Sequence, residues 1–289
     1  MKILLFGKNG QLGLELQRTL LPLGPITAID KEDLDLANLD ALKAFIQQLK
    51  PEVIINASAY TAVDRAESES DLAFQINAQA PGAMAQAANQ LGAIFIHFST
   101  DYVFDGKKGA PYNEDDLPNP LNTYGKSKLA GETLALAAGG AVLVFRTSWV
   151  YGHAAESFAA KVLSWARQRE TLQIVDDQIG SPTWARFLAE TSSAVLARYS
   201  FQALKAKSGM YHLAGKGSVS RLDFARAILA LDPHPEEQRC THILPAKTDD
   251  FPTPALRPLF TALDCARFES TFALYLPEWQ QSLQLALRP

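Results

Sequence analysis

Short apolar runs and longer mixed stretches alternate along the first half of the chain. Ile3–Phe6, Ile26–Ile29, Val53–Ile55, Ile94–Phe98 and Val142–Phe145 are near-continuous apolar runs. Strands of a parallel sheet covered on both faces read this way. Between them, Gln11–Leu20, Leu39–Leu49, Leu72–Leu91 and Ser127–Ala137 carry their apolar residues at helical spacing. Strand, helix, strand in this rhythm predicts an α/β fold: a doubly wound parallel sheet of Rossmann type with right-handed crossovers.

The rhythm loosens in the second half. Phe158–Arg169 and Trp184–Ala197 read as helices, Tyr211–Leu213 as a short strand, and Ser220 as the cap of a helix reaching about Leu231. Asp232–Pro258 is rich in proline and turn formers and reads as an ordered loop or a domain connection. The expected division is a first domain over residues 1–150 and a second, smaller α/β domain over 151–289, interleaved with the first.

Composition narrows the function classes. The chain has 289 residues, 47% of them hydrophobic, which is enough for a sizeable core. Its net charge of −4 gives no basic field for nucleic acid or an anionic membrane. The opening MKILLFGKNG is too short in its apolar part for a signal peptide, and no run approaches the roughly 18 apolar residues of a membrane span. Cys240 and Cys265 are unclustered, which fits a reducing, cytoplasmic setting better than a disulfide.

The first strand runs into Gly7-Lys-Asn-Gly10-Gln-Leu-Gly13, and a helix follows. Gly7 permits the turn off the strand, Gly10 lets a pyrophosphate approach the backbone, and Gly13 lets the helix pack on the sheet. Asp30, 20 residues beyond Gly10, ends the second strand. It can accept from the ribose hydroxyls of an NAD-type cofactor, and Lys31 beside it leaves room for the phosphate of NADPH. The small residues Ala57–Ala59 after the third strand would let the cofactor pass close to the backbone. Residues 1–150 thus read as a dinucleotide-binding domain and 151–289 as mainly a substrate domain.

Tyr124 and Lys128 are four residues apart on a predicted helix, so their side chains share a face. A free tyrosine is too weak an acid for neutral pH, and an adjacent ammonium would pull its pKa down. Thr100 falls at the carboxyl edge of the fourth strand, where its hydroxyl can reach a substrate carbonyl. Asp101 either binds a substrate hydroxyl or caps a turn.

With these residues together, the sequence resembles the extended short-chain dehydrogenase/reductases, and among them the dTDP-4-dehydrorhamnose reductases. The matching stretches are Ile3–Gly13, Thr61–Glu67, Ser99–Phe104, Tyr124–Glu132, Arg146–Tyr151, Asp177–Thr183 and Pro252–Pro258. The resemblance implies hydride transfer to the 4-keto carbon of a nucleotide sugar. Tyr124 would protonate the oxygen, Lys128 would tune Tyr124 and hold the cofactor ribose, and Thr100 would polarise the carbonyl. It also implies that Gly10, Gln11 and Leu12 contact the pyrophosphate, and that Ala59, Tyr60 and Thr61 touch the cofactor further along. Thr100, Asp101 and Trp149 would then touch the sugar nucleotide. By residue type alone Trp149 reads as a core aromatic. Arg257 reads equally as a diphosphate partner or as half of a surface ion pair.

One departure bears on assembly. Some members of this family are dimers bridged by magnesium through glutamates. Glu15 is present here, but Arg186 stands where a second acid would fall, and the chain ends Leu-Ala-Leu-Arg-Pro. This argues against a magnesium bridge and leaves a metal-free homodimer open. Two rival functions remain at this stage. An NAD-retaining epimerase or dehydratase is one, although dehydratases typically carry Glu where Tyr102 stands. A non-catalytic subunit resembling the regulatory subunit of methionine adenosyltransferase is the other.

Overall fold

The computed structural model describes residues 1–152 and 157–288. Five parallel strands alternate with helices through the first half: β1 (Ile3–Phe6), α1 (Gln11–Leu20), β2 (Ile26–Ile29), α2 (Leu39–Leu49), β3 (Val53–Asn56), α3 (Ala80–Leu91), β4 (Ile94–Thr100), α4 (Thr123–Ala137) and β5 (Ala141–Thr147). After residue 150 come α5 (Phe158–Gln168), β6 (Thr171–Val175), α6 (Ala185–Arg198), β7 (Gly209–His212), α7 (Arg221–Ala230) and β8 (His242–Ala246). The central sheet has the order β7-β5-β4-β3-β1-β2 and all its pairs are parallel. The expected doubly wound parallel sheet is therefore present, and its order reverses beside β1 and β3.

Period-two alternation along these strands feeds two cores. Ile3, Leu5, Val53, Ile55 and Ile96 face Leu12 and Leu16 of α1 and Leu188 of α6. Leu4, Phe6, Ile54 and Phe95 face Leu42 and Ile46 of α2 and the alanines of α3. A third core joins Val162, Leu172, Ile174, Phe224 and Ile228 with Tyr151 and Trp279. Residues after 150 are thus shared out: α6 and β7 complete the first two cores, whereas α5, β6, α7 and β8 build the third.

Three elements differ from expectation. The stretch read as one helix, Leu72–Leu91, is interrupted by a wide π turn at Gln75–Gln79. Pro81 has no N–H to return to the carbonyl of Asn77, which loosens the helix there. α4 begins at Thr123, four residues early, because the Asn122 side chain caps it by accepting from the Gly125 N–H at 2.8 Å. The proline-rich segment read as loop contains β8, which pairs in parallel with β6. Pro245 is tolerated there because an edge strand needs no N–H on its outer side.

Candidate active site

The glycine loop separates what the fold needs from what a ligand needs. Gly7 has φ of +87°, and a Cβ there would lie 2.8 Å from the Ala57 backbone. A Cβ on Gly13 would lie 1.9 Å from the Gly7 carbonyl. Gly10 has ordinary φ and ψ as the residue before α1, and a Cβ there would meet only Gly7 O at 3.4 Å. The protein backbone therefore does not require a glycine there. No side chain caps α1, so its N-terminal N–H groups and positive dipole end face outward beside Gly10.

Two cavities of about 410 Å³ meet across Ser58, Ala59 and Thr61. The first is lined by Gly7, Asp30, Lys31, Leu36, Tyr60 and Leu72, a mostly apolar slot with two carboxylates, Asp30 and Asp35. The Asp30 carboxylate accepts the N–H of Asn9 at 2.9 Å and of Lys31 at 2.8 Å, which ties the end of β2 to the glycine loop. The second holds Gly10, Gln11, Leu12, Tyr124, Lys128 and Thr147. Two polar atoms lining it, Gln11 Oε1 and Thr147 Oγ1, are buried without a partner. Such atoms cost free energy unless a ligand meets them. Two slots joined at an uncapped helix end, with orphaned polar atoms in the second, fit a dinucleotide whose pyrophosphate lies at Gly10. Lys128 and Thr147 are the residues that would hold its nicotinamide end, and Gln11 lies nearer the pyrophosphate.

Tyr124 and Lys128 line this second slot, and Thr100 lies beside Tyr124. Thr100 ends β4; its hydroxyl gives a 3.1 Å hydrogen bond to Asp101 Oδ1 and accepts the Tyr102 N–H. The Tyr124 hydroxyl is held above the ordinary tyrosine range, chiefly by burial, against a hydrogen bond with Thr100 that favours the phenolate. Burial pushes Lys128 down to about 8, opposed by Glu132. The Lys128 ammonium turns toward the Phe98 carbonyl, at 2.7 Å, and does not set the Tyr124 hydroxyl's pKa here. The expected lowering by the ammonium is thus absent, and desolvation governs the tyrosine. A proton donor needs the protonated form, and burial keeps Tyr124 in it.

The remaining residues singled out by sequence take distinct places. Asp101 is buried and its carboxylate is occupied by three hydroxyls: Thr100, Ser148 at 2.7 Å and Thr261 at 2.5 Å. Trp149 has φ of +45°, uncommon for a residue with a side chain. Its ring lies against Gly180, where a Cβ would come within 2.4 Å. Arg257 pairs with Asp64 at 2.8 Å, so of its two readings the ion pair is the one formed. Glu15 pairs with Arg18, and Arg186 pairs with Glu190 while also feeling the charge of Glu15. Cations therefore crowd the carboxylate that would face a metal.

Sequence reasoning missed Arg221, Asn77 and Glu132. The Arg221 guanidinium sits 3.6 Å from the centre of the Trp149 ring and 4.8 Å from that of Phe158. Burial lowers its pKa to about 10, and no carboxylate among the described residues pairs with it. A cation in the first turn of a helix, where the dipole opposes it, was the available signal. Asn77 in the π turn accepts from the Tyr60 N–H and donates to the Tyr60 carbonyl and to Ser127, linking the cofactor loop to α4.

The family model described as RmlD substrate binding domain matches residues 1–289. The chain is 40% identical over 293 residues to the dTDP-4-dehydrorhamnose reductase of Burkholderia thailandensis, covering 100% of this chain and 98% of the relative. It is 41% identical over 299 residues to that of Escherichia coli K12, covering 99% and 97%. Among solved structures, the reductase of Clostridium acetobutylicum superposes with a TM-score of 0.91 at 36% identity, covering 99% of this chain and 98% of that one. The Bacillus anthracis reductase, solved in complex with NADP, gives 0.90 at 33% identity with the same coverage.

Proposed function

Since this chain belongs to the dTDP-4-dehydrorhamnose reductase family, we propose a role for each part of its cleft. The enzyme reduces the 4-keto group of dTDP-4-dehydro-L-rhamnose to give dTDP-L-rhamnose, with NADH or NADPH as the reductant. The bound nicotinamide supplies a hydride. The observation that carries the assignment is the meeting of Tyr124 and Lys128 in one slot with the uncapped glycine loop, with Thr100 beside Tyr124.

In this reading Tyr124 holds the proton that the carbonyl oxygen receives as hydride arrives at carbon. Its high pKa keeps that proton in place until charge develops on the oxygen. Thr100, bonded to Asp101, stands beside Tyr124 and would steady the oxygen that Tyr124 protonates. Asp101 fixes Thr100, Ser148 and Thr261 in the wall of the site. Lys128 holds the ribose, and Gly10, Gln11 and Leu12 the pyrophosphate. Asp30 lies at the adenosine ribose, with Lys31 placed for a 2′-phosphate. Arg221, backed by Trp149, is the cation assigned to the substrate diphosphate, in preference to Arg257, which Asp64 already neutralises.

The test is NADH and NADPH oxidation with dTDP-4-dehydro-L-rhamnose, run beside UDP- and GDP-linked 4-ketosugars. Turnover on the dTDP substrate is expected, with the others much slower. Absence of turnover together with tightly retained NAD⁺ in the purified protein would sink the reductase reading in favour of an epimerase or dehydratase.

A further inference from the structure

Behind the cleft, side chains that the chemistry above does not use stand in single file. Ser58 gives its backbone N–H, at 3.1 Å, and its hydroxyl, at 2.6 Å, to Asn56 Oδ1. A backbone N–H can only donate, so the atom facing it is the amide oxygen, and the Asn56 amide is fixed in orientation. Its Nδ2 then lies 3.1 Å from Nδ1 of His97, on the neighbouring strand in register. An amide nitrogen only donates, so Nδ1 must carry the lone pair. A neutral imidazole has one N–H, which is thereby left on Nε2. Nε2 lies 3.3 Å from Lys128 Nζ.

An N–H aimed at Nζ finds no acceptor on an ammonium, which has three protons and no lone pair; an amine has one. We infer that Asn56 and His97 are positioning residues that bias Lys128 toward its uncharged amine. His97 is wholly enclosed and stacked on Phe95, so the imidazole cannot turn out to water. Burial beside Lys128 also holds its pKa well below the ordinary histidine value, which keeps it neutral.

Other charges near Lys128 do not replace this control. On α4 itself Tyr124 lies one turn before it and Glu132 one turn after. Glu132 favours the ammonium but is bound bidentately by Arg146 of β5 and by Ser99 of β4. Asp101 and Tyr102, at the end of β4, face Tyr124. α3 behind the helix carries no titratable residue, and Asp71 before the π turn is exposed. In the short turn of residues 63–66, Asp64 is paired with Arg257 and Arg65 with Glu69. Glu67 caps the Thr123 N–H.

The inference rests on the reading of Lys128 as a residue of the cofactor cleft, and it is tested on the free protein, so its failure is separate from any failure of turnover. Long-range ¹⁵N–¹H spectra of the His97 imidazole should show a neutral ring protonated at Nε2 at neutral pH. The ¹³Cε signal of Lys128, assigned by its loss in Lys128→Arg, should titrate far below ordinary lysines. Asn56→Asp keeps the Ser58 contact but places an acceptor on His97 Nδ1, which moves the ring proton and offers Nζ a lone pair. It should raise the Lys128 midpoint by at least about one pH unit, roughly tenfold in the proton equilibrium. In a His97→Phe background the same substitution should shift it much less. A wild-type ring protonated at Nδ1, or a shift just as large without the imidazole, overturns the inference. The tautomer spectrum decides the matter even if a variant does not fold.

Discussion

Tyr124 shows how far residue type and residue environment can diverge. Its spacing from Lys128 marks a shared helix face, yet burial raises the hydroxyl's pKa and Lys128 turns toward Phe98. For reduction this is the useful direction, because the proton must be present when charge appears on the substrate oxygen. Tyr124→Phe should therefore lower the turnover number by about 10²–10⁴-fold while cofactor affinity changes little. Steady-state kinetics with a parallel fluorescence titration of NADH measure both. Near wild-type turnover in the variant would exclude Tyr124 as the acid.

At the scale of elements, the glycine loop and α4 are held by different means. Gly7 and Gly13 are required by backbone contact, whereas Gly10 is not. Gly10→Ala should leave the melting temperature nearly unchanged, within the roughly ±0.5 kcal/mol of an uncrowded substitution, and weaken cofactor binding tenfold or more. Gly13→Ala forces α1 off the loop and should cost about 1–3 kcal/mol. Thermal melts with and without cofactor separate the two, and a Gly10→Ala protein that bound cofactor normally would remove Gly10 from the pyrophosphate site. α4 is anchored by the enclosed Glu132–Arg146 pair, at 2.6 and 2.8 Å, one turn beyond Lys128. A bidentate pair fixes direction as well as distance, so it sets the rotation of the helix that carries Tyr124 and Lys128.

Across the whole molecule, buried bases make stability depend on pH. His212 joins β7 to the sheet, gives Nδ1–H to the Tyr112 carbonyl, and is pushed by burial down to about 3. The unfolded chain takes up that proton near the ordinary value of 6.5 and the folded chain only near 3. Stability from this residue is complete above about 6.5 and is lost as pH falls toward 3, at up to about 1.4 kcal/mol per pH unit. His212→Gln should flatten the acid side of a plot of melting temperature against pH; an unchanged slope would show that other groups govern it. Lys128 acts in a higher window. Its folded pKa of about 8 lies below the ordinary 10.5, so its contribution rises with pH between those values.

Much of this was legible in the chain alone. The apolar runs located β1 to β5, the helical periods located α1 and α2, and the glycine spacing with Tyr124 and Lys128 marked the cleft, because each signal lies within a few residues. Local signals also misled: Pro245 hid an edge strand, and the helix containing Pro81 was read as continuous. Only the tertiary structure decided that β7 joins the sheet beside β5, that Arg257 is spent on Asp64 while Arg221 lies on Trp149, and that His97 lies against Lys128. Those outcomes depend on which distant segments meet and on how deeply they are buried. Burial sets whether a charge is tolerated and which partner it finds, and no spacing along the sequence encodes it.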